Sequence, residues 1–411
     1  MRAVGLITEY NPFHNGHKYH LEQSLVQSGS DVTVAVMSGH FTQRGEPALF
    51  DKWQRTRMAL AAGVDVVVEL PLPWACNSAP HFASGAVQAL AALGVLCFCF
   101  GSEAGALEPL QQCAGLLEAH AAVIDQETAA LLRRGMHYAE ARAEVVTHLA
   151  DEKMASLLNS PNNILGIAYL RALQRHALPL EPFTLERLGP GYHDTRVEAD
   201  IASATGIRQR LKAGESVDEL VPHKISHLLK EALFAGSVID EDIYFRLVLA
   251  AILKGCNSSY LVEHGMAQRL AQACEECSDF DSLVSSVLAP QWTRTRIQRT
   301  LCHVLLGSDA EQYAEFLDCG PLYLHLLGSS KKGQAFLAAT RKDRNVPLVD
   351  NYSRVYARLR RFYGKTSRKS RLAEAQLAAE IDATRLYGLL LKKPFSSGWS
   401  RDFSQDVVVV P

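Results

Sequence analysis

Gly5-Leu6-Ile7-Thr8-Glu9-Tyr10-Asn11-Pro12-Phe13-His14-Asn15-Gly16-His17 stands almost at the start of the chain. The apolar run from Ala3 to Ile7 predicts a buried strand. It breaks at Asn11-Pro12, where the proline ring fixes its own φ and pushes the preceding residue extended. Beyond the break come two histidines with a glycine between them, then Lys18, Tyr19, His20, Leu21 and Leu25 at helical spacing. Strand, sharp turn and helix start make a site for a phosphate chain. The unpaired N–H groups and positive end of the helix face an anion, and Gly16 lets it approach closely. His14 and His17, on one side of the first turn, add donors aimed at phosphate oxygens. The bland reading is that both rings only cap the helix. Against it stands their position, directly after a first buried strand with the polar step Thr8-Glu9 leading in.

At 411 residues, 48 % hydrophobic and 21 % charged, the chain is expected to be globular with two or three domains. The 42 Lys and Arg nearly balance the 44 Asp and Glu, so any basic surface for nucleic acid must be local. No signal peptide is expected, because the first strand starts at once and carries Glu9 and Asn11. No apolar run reaches the roughly 20 residues needed to span a bilayer. The nine cysteines lie mostly in apolar segments and read as reduced core thiols of a cytoplasmic protein. Cys274-Glu275-Glu276-Cys277 is the one CxxC; without a second pair or a His partner it reads as helix, not zinc site.

Further strands are predicted at Val32 to Met37, Val64 to Leu70, Val95 to Phe100 and Phe183 to Leu188. Helices are predicted at Lys52 to Ala62, about Ser78 to Leu93, through much of 104–158, and at Ile164 to Gln174. Such alternation predicts an α/β fold, a Rossmann-like parallel sheet with helices on both faces. Gly189-Pro190-Gly191-Tyr192-His193-Asp194 is too rich in turn formers to be anything but loop. From Asp240 onward the pattern changes to helices without clear strands, and Val407 to Val410 reads as an edge strand or ordered tail. The expected division is a nucleotide-binding catalytic domain over 1–237 and a mainly helical domain over 238–411.

Strand ends in a parallel sheet share one rim, so four polar loops can meet there: Thr8 to His17, Ser38 to Pro47, Gly101-Ser102-Glu103, and Arg187 to Asp194. Arg44 and Arg187 either clamp phosphate or carboxylate, or sit in solvent. Asn162 and Asn163 either bond an adenine or ribose, or cap the following helix. Ser203, Thr205 and Arg208 open another helix and suit β- and γ-phosphates as pyrophosphate leaves; the alternative is that Ser203 simply caps and Arg208 is solvated. Arg354, Arg358, Arg360, Arg361, Lys365, Arg368, Lys369 and Arg371 run without an intervening acid, interleaved with Tyr356, Phe362 and Tyr363. Cations with stacking rings suit RNA, while a solvated helix face is the ordinary explanation.

His14-Asn15-Gly16-His17 resembles the His-x-Gly-His motif of a nucleotidyltransferase superfamily that binds ATP, and Thr205-Gly206-Ile207-Arg208 resembles its later Ser/Thr-x-Ile-Arg motif. Longer blocks are more particular: Met37-Ser38-Gly39 through Gln43-Arg44-Gly45-Glu46-Pro47-Ala48, Ala62-Gly63-Val64-Asp65 through Glu69-Leu70-Pro71, Phe100-Gly101-Ser102-Glu103, Ser160-Pro161-Asn162-Asn163-Ile164-Leu165-Gly166, and Gly191-Tyr192-His193-Asp194. Together they resemble the tRNA(Met) cytidine acetate ligase family through most of residues 1–350. His40 and Thr42 stand where that family usually has Asn and Val, and Gly206 replaces a usual Ala. None of these departures removes a group assigned to phosphate.

The resemblance implies an enzyme that makes acetyladenylate and pyrophosphate from acetate and ATP. It then implies acetyl transfer to N4 of the wobble cytidine of elongator tRNA(Met). The implied ATP site is Ile7, Thr8, Glu9, Tyr10, Asn11, Pro12, Phe13, His14, Asn15, Gly16, His17, Lys18, Tyr19 and His20, with Gly101, Asn162 and Arg187. Mg²⁺ is allowed, but no carboxylate cluster names its ligands. No Cys or Ser sits in a nucleophile–base motif, so direct transfer from adenylate to RNA is expected. RNA contacts are placed at Arg44, Arg354, Arg358, Arg360, Arg361 and Lys365, and no membrane or obligate protein partner is expected. Two rivals stay open: adenylation of a phosphorylated small molecule, and a non-catalytic RNA-binding protein with a regulatory nucleotide site.

Overall fold

β1 (Ala3–Thr8), β2 (Val32–Ser38), β3 (Val66–Leu70), β4 (Cys97–Ser102) and β5 (Glu181–Glu186) are rich in Val, Phe and Cys, and the first four are almost wholly buried. In a computed structural model describing residues 1–187, 202–393 and 401–410, they form one parallel array. The pleat sends alternate residues to opposite faces. Val34, Val36, Val66 and Val68 join one apolar core with Leu90, Phe98 and Leu170, while Leu6, Ala35, Met37 and Val67 join another with Phe13 and Met58. Each face is therefore covered by helices. Ala79–Ala92 and Pro161–His176 contribute to the first core, Asn15–Ser28 and Lys52–Ala61 to the second. Predicted strand Val95 to Phe100 starts two residues later, and the Ile164 to Gln174 helix begins at Pro161, where a missing N–H costs nothing. Leu188 and the 189–194 loop lie outside the described residues.

With β6 (Leu324–Ser330), β7 (Leu348–Val349) and β8 (Val408–Val410) added, the sheet order is β5-β4-β1-β2-β3-β6-β7, and β8 pairs with β6. From β1 the chain runs through β2 to β3 on one side, then crosses back to β4 on the other. The ends of β1 and β4 thus flank a topological switch point, where open α/β sheets bind ligands.

The expectation of helices without clear strands from Asp240 is corrected by β6 and β7, whereas β8 falls where Val407 to Val410 read as an edge strand. β6 (Leu324–Ser330) runs antiparallel beside β3, with β7 (Leu348–Val349) and β8 (Val408–Val410) parallel to it. Leu-His-Leu-Leu-Gly-Ser-Ser has no clean alternation; its burial comes from β3, a partner remote in sequence. Between 240 and 320 the chain is helical, with its own core of Tyr244, Val248, Leu270, Leu283, Ile297 and Leu301. Cys274 lies in the Met266–Glu276 helix and Cys277 is its C-cap. Among the described residues no helix is long and apolar enough to cross a membrane.

The returning segments are stitched in by a buried charge cluster. Lys52 Nζ lies 2.9 Å from Glu69, 2.9 Å from Asp402 and 3.9 Å from Glu380. His325 Nδ1 is 2.8 Å from Glu69 Oε2, and the Leu72 amide donates to Glu380 at 2.9 Å.

Candidate active site

A cavity of about 260 Å³ opens at the switch point. Ile7, Thr8 and Glu9 close it from β1, and His14, Gly16, His17, Tyr19 and His20 from the following helix. Phe100 and Gly101 enter from β4, Leu185, Glu186 and Arg187 from the end of β5, and Ala202 and Ser203 from the start of a later helix. The Pro161–His176 helix adds Asn162, Leu165 and Tyr169.

His14 is the N-cap of the Asn15–Ser28 helix, and the two imidazoles cap it reciprocally. The Gly16 amide donates to His14 Nδ1 at 3.1 Å, and the His14 amide donates to His17 Nδ1 at 3.3 Å. The rings stack with centroids 3.7 Å apart. Burial, then Arg187, pushes His14 down to about 4. His17 is held well below its usual value, by burial first and then by His14, His20 and Arg187. Both rings are therefore neutral near pH 7. Since each Nδ1 lone pair accepts, each remaining proton sits on Nε2. Nδ1 of each ring holds the helix start, and the opposite Nε2–H edge is not used by the cap.

These neutral rings set a pH dependence. His20, with Nε2 buried and unpartnered among the described residues, is likewise pushed down to about 4, by burial first and Arg187 second. At His14 and His20 the unfolded chain binds a proton near pH 6.5, the folded chain only near 4. Stability is therefore full above 6.5 and falls as pH drops through that window, by up to about 3 kcal/mol per ring. Thermal midpoints measured from pH 7.5 to 4.5 are expected to show this fall, shallower in His20→Asn.

The far wall is ordered by a relay. Glu103 accepts from the amides of Asn162 and Asn163 at 3.3 and 2.8 Å and from Asn162 Nδ2 at 2.6 Å. Asn162 Oδ1 in turn accepts from Arg187 Nη1 at 3.2 Å, so the exposed guanidinium is aimed rather than loose. Asn163 is buried outside the cavity, where Oδ1 accepts from the Ala104 amide at 3.0 Å. Its role here is structural.

Other candidates also stand away from the lining. Tyr10 and Phe13 pack in the core, Tyr10 with a left-handed φ of 47°. Pro12 is buried, and Asn11 Oδ1 accepts from the Leu49 amide at 2.8 Å. Asn15 donates to Glu219 O at 2.8 Å, and Lys18 pairs loosely with Glu22. Arg208, placed by sequence on the triphosphate, donates to Asn11 O at 3.0 Å and to Glu46 at 2.8 Å, with Thr205 Oγ1 at 3.4 Å. It braces the turn before the imidazoles. Ser203 both lines the cavity and accepts from the Gly206 amide at 3.1 Å.

Phe100, Leu165, Tyr169, Leu185, Glu186 and Ala202 line the cavity without having been singled out. Helical spacing carries a signal for two of them, because Leu165 and Tyr169 follow Asn162 at i+3 and i+7. Gly166 is required there, since a Cβ would run into the Phe100 ring.

The 38–47 loop is less wet than its composition suggests: His40, Phe41 and Thr42 are buried, and Arg44 is exposed. In the basic run, acids from elsewhere in the chain engage Arg358 (Asp350), Arg360 (Glu374) and Arg368 (Glu315). Arg354, Arg361, Lys365 and Lys369 are exposed, with no ion-pair partner among the described residues.

A family model described as HIGH Nucleotidyl Transferase matches residues 1–401. The tRNA(Met) cytidine acetate ligase of Syntrophotalea carbinolica is 55 % identical over 407 residues, covering 98 % of this chain and 97 % of the relative. That of Bacillus subtilis is 35 % identical over 413 residues, covering 96 % and 94 %. Among solved structures, Thermotoga maritima TmcAL bound with alpha-thio ATP superposes with a TM-score of 0.89 at 28 % identity, covering 100 % of this chain and 99 % of that one. Its apo form gives 0.91 at the same identity, covering both chains fully. A nucleotidyltransferase sheet with imidazoles at its switch point, matched nearly end to end by these relatives, places this chain in the HIGH nucleotidyl transferase family and, within it, among the tRNA(Met) cytidine acetate ligases.

Proposed function

We propose that this protein activates acetate with ATP and transfers the acetyl group to N4 of the wobble cytidine of elongator tRNA(Met). The observation that carries the reading is the pair of uncharged Nε2–H donors beside a helix N-terminus, in a cavity at the sheet's switch point. An acetate oxygen attacks the α-phosphorus, the bond to the β-phosphate breaks, and pyrophosphate leaves as negative charge builds on it. Fixed side-chain donors stabilise that charge without reorganising, aided by the positive end of the helix, whose first amides are themselves spent on Leu220 O and on His14. His14 and His17 serve this role, with Ser203 and Arg187 on the facing wall. In this reading Gly101 and Asn162 hold the nucleoside end, and Thr205 and Arg208 act by bracing the turn.

Among the described residues no cluster of three or more His, Cys, Asp or Glu is placed to hold a metal ion. A bound Mg²⁺ would come with the triphosphate and would offset the negative charge building on it. The tRNA lies along Arg44 and the unpaired cations Arg354, Arg361 and Lys365, with Arg358 and Arg360 exchanging their acids for phosphates. Residues 1–237 then form the catalytic part. Residues 238–411 bind most of the RNA, and their strands also complete the sheet.

Labelled pyrophosphate is expected to exchange into ATP only when acetate is present. Nucleosides from tRNA treated with protein, ATP and acetate are expected to include N4-acetylcytidine by mass. Exchange that requires a phosphorylated acceptor instead would mark an adenylyltransferase. Retention of tRNA without exchange would mark a binding protein.

A further inference from the structure

We propose that Glu9 is the base that takes the proton from the cytidine amine during acetyl transfer. The inference rests on the function proposed above and extends it to the second half-reaction. There the N4 lone pair attacks the acetyl carbonyl carbon, a C–N bond forms, the anhydride C–O bond breaks, and AMP leaves with the bonding electrons. One N4 proton must then pass to a base.

The imidazoles cannot accept it. The Nδ1 lone pairs of His14 and His17 are occupied by the Gly16 and His14 amides, and Nε2 already carries the proton. His20, at about 4, is a weak base with Nε2 buried. Among the described residues two carboxylates line the cavity, Glu9 and Glu186. Glu186 is exposed on β5, its side chain lying over Gly105.

Glu9 is held for the task. Its Oε1 accepts from the Gln43 amide at 2.7 Å, while Oε2 has no partner among the described residues and the side chain lines the cavity. Its main-chain carbonyl accepts from Arg55 Nη1 at 2.7 Å. That buried guanidinium also donates to Ser38 O and Phe50 O at 3.0 Å each and to Gly39 O, locking the ends of β1 and β2 together. The carboxylate therefore stands where the nucleotide cavity meets the 38–47 loop, whose exposed Arg44 can meet an RNA phosphate. Burial raises its pKa and Glu46 adds to that, while the Gln43 amide first and then Arg44 and Arg208 oppose it; Arg55 and Tyr169 are its other charged or titratable neighbours. The net rise brings this carboxylate nearer working pH, which strengthens it as a base.

The test separates the two half-reactions in the full chain. Glu9→Gln keeps the shape and loses the lone-pair base, so the ratio of tRNA acetylation to acetate-dependent pyrophosphate exchange is expected to fall by about 100-fold or more. Glu9→Asp draws the carboxylate back by one methylene and should lower the same ratio by about tenfold, which keeps the test alive if the amide does not fold. Wild-type acetylation should lose rate on acidification along a limb that exchange lacks, and Glu9→Gln should flatten it. Equal loss of both half-reactions would make Glu9 part of the ATP site and overturn the proposal, as would an unchanged ratio. Wild-type protein without acetate-dependent exchange would instead defeat the ligase reading itself.

Discussion

His14→Asn is expected to keep wild-type thermal stability while losing about 10²- to 10³-fold in acetate-dependent pyrophosphate exchange. Asparagine is among the best N-cap residues, and its Oδ1 can take over the amide that His14 Nδ1 now accepts at 3.1 Å. It has no group in place of Nε2–H, and removing one preorganised donor to a developing anion costs a factor of that size. His14→Ala removes both edges, so it should add about 1 kcal/mol of instability to the same kinetic loss. The ordinary objection to a His-x-x-His pair is that it only caps, and the asparagine variant answers it. Exchange at the wild-type rate would mean that the ring caps and nothing more. The loss should appear mainly in turnover, because the donor matters most where charge develops, while a loss confined to KM for ATP would place it in ground-state binding.

What the sequence made legible follows from the range of the interactions involved. β1 to β4 announce themselves because a parallel strand buried on both faces must be continuously apolar, as Val-Thr-Val-Ala-Val-Met and Val-Val-Val are. The imidazole turn is a local motif, and its donors and acceptors lie within three residues of each other. β6 was not legible because its apolar side depends on β3, more than 250 residues away. Arg208 shows a related limit: a guanidinium on a phosphate site and one bracing Asn11 and Glu46 have the same sequence signature. The basic run looked free of acids because Asp350, Glu374 and Glu315 reach it only after folding.

Lys52→Met is expected to destabilise the protein by about 3–5 kcal/mol, because it strands buried carboxylates without their cation. Lys52 and Glu69 are inaccessible to solvent, and Glu380 and Asp402 nearly so. Burial works against the Glu69 charge, and Lys52 with His325 outweighs it, holding that carboxyl far below the usual range. Burial and the adjacent Glu69 push Glu380 well above it, so the pair tolerates one negative charge, not two. In wild type the Glu69 contribution is full above about pH 4.5 and is lost only on stronger acidification. Without Lys52 the sign reverses. The folded state then binds the Glu69 proton more tightly than the unfolded chain does, so the variant gains stability as pH falls. Urea unfolding should therefore show the largest deficit near pH 7.5 and a smaller one near pH 5.5. A deficit below about 1 kcal/mol, or one independent of pH, would mean the cluster is solvated and does not hold the tail. Because Asp402 belongs to the short Arg401–Ser404 helix ahead of β8, the variant should also release that tail to limited proteolysis before the β1–β5 array yields.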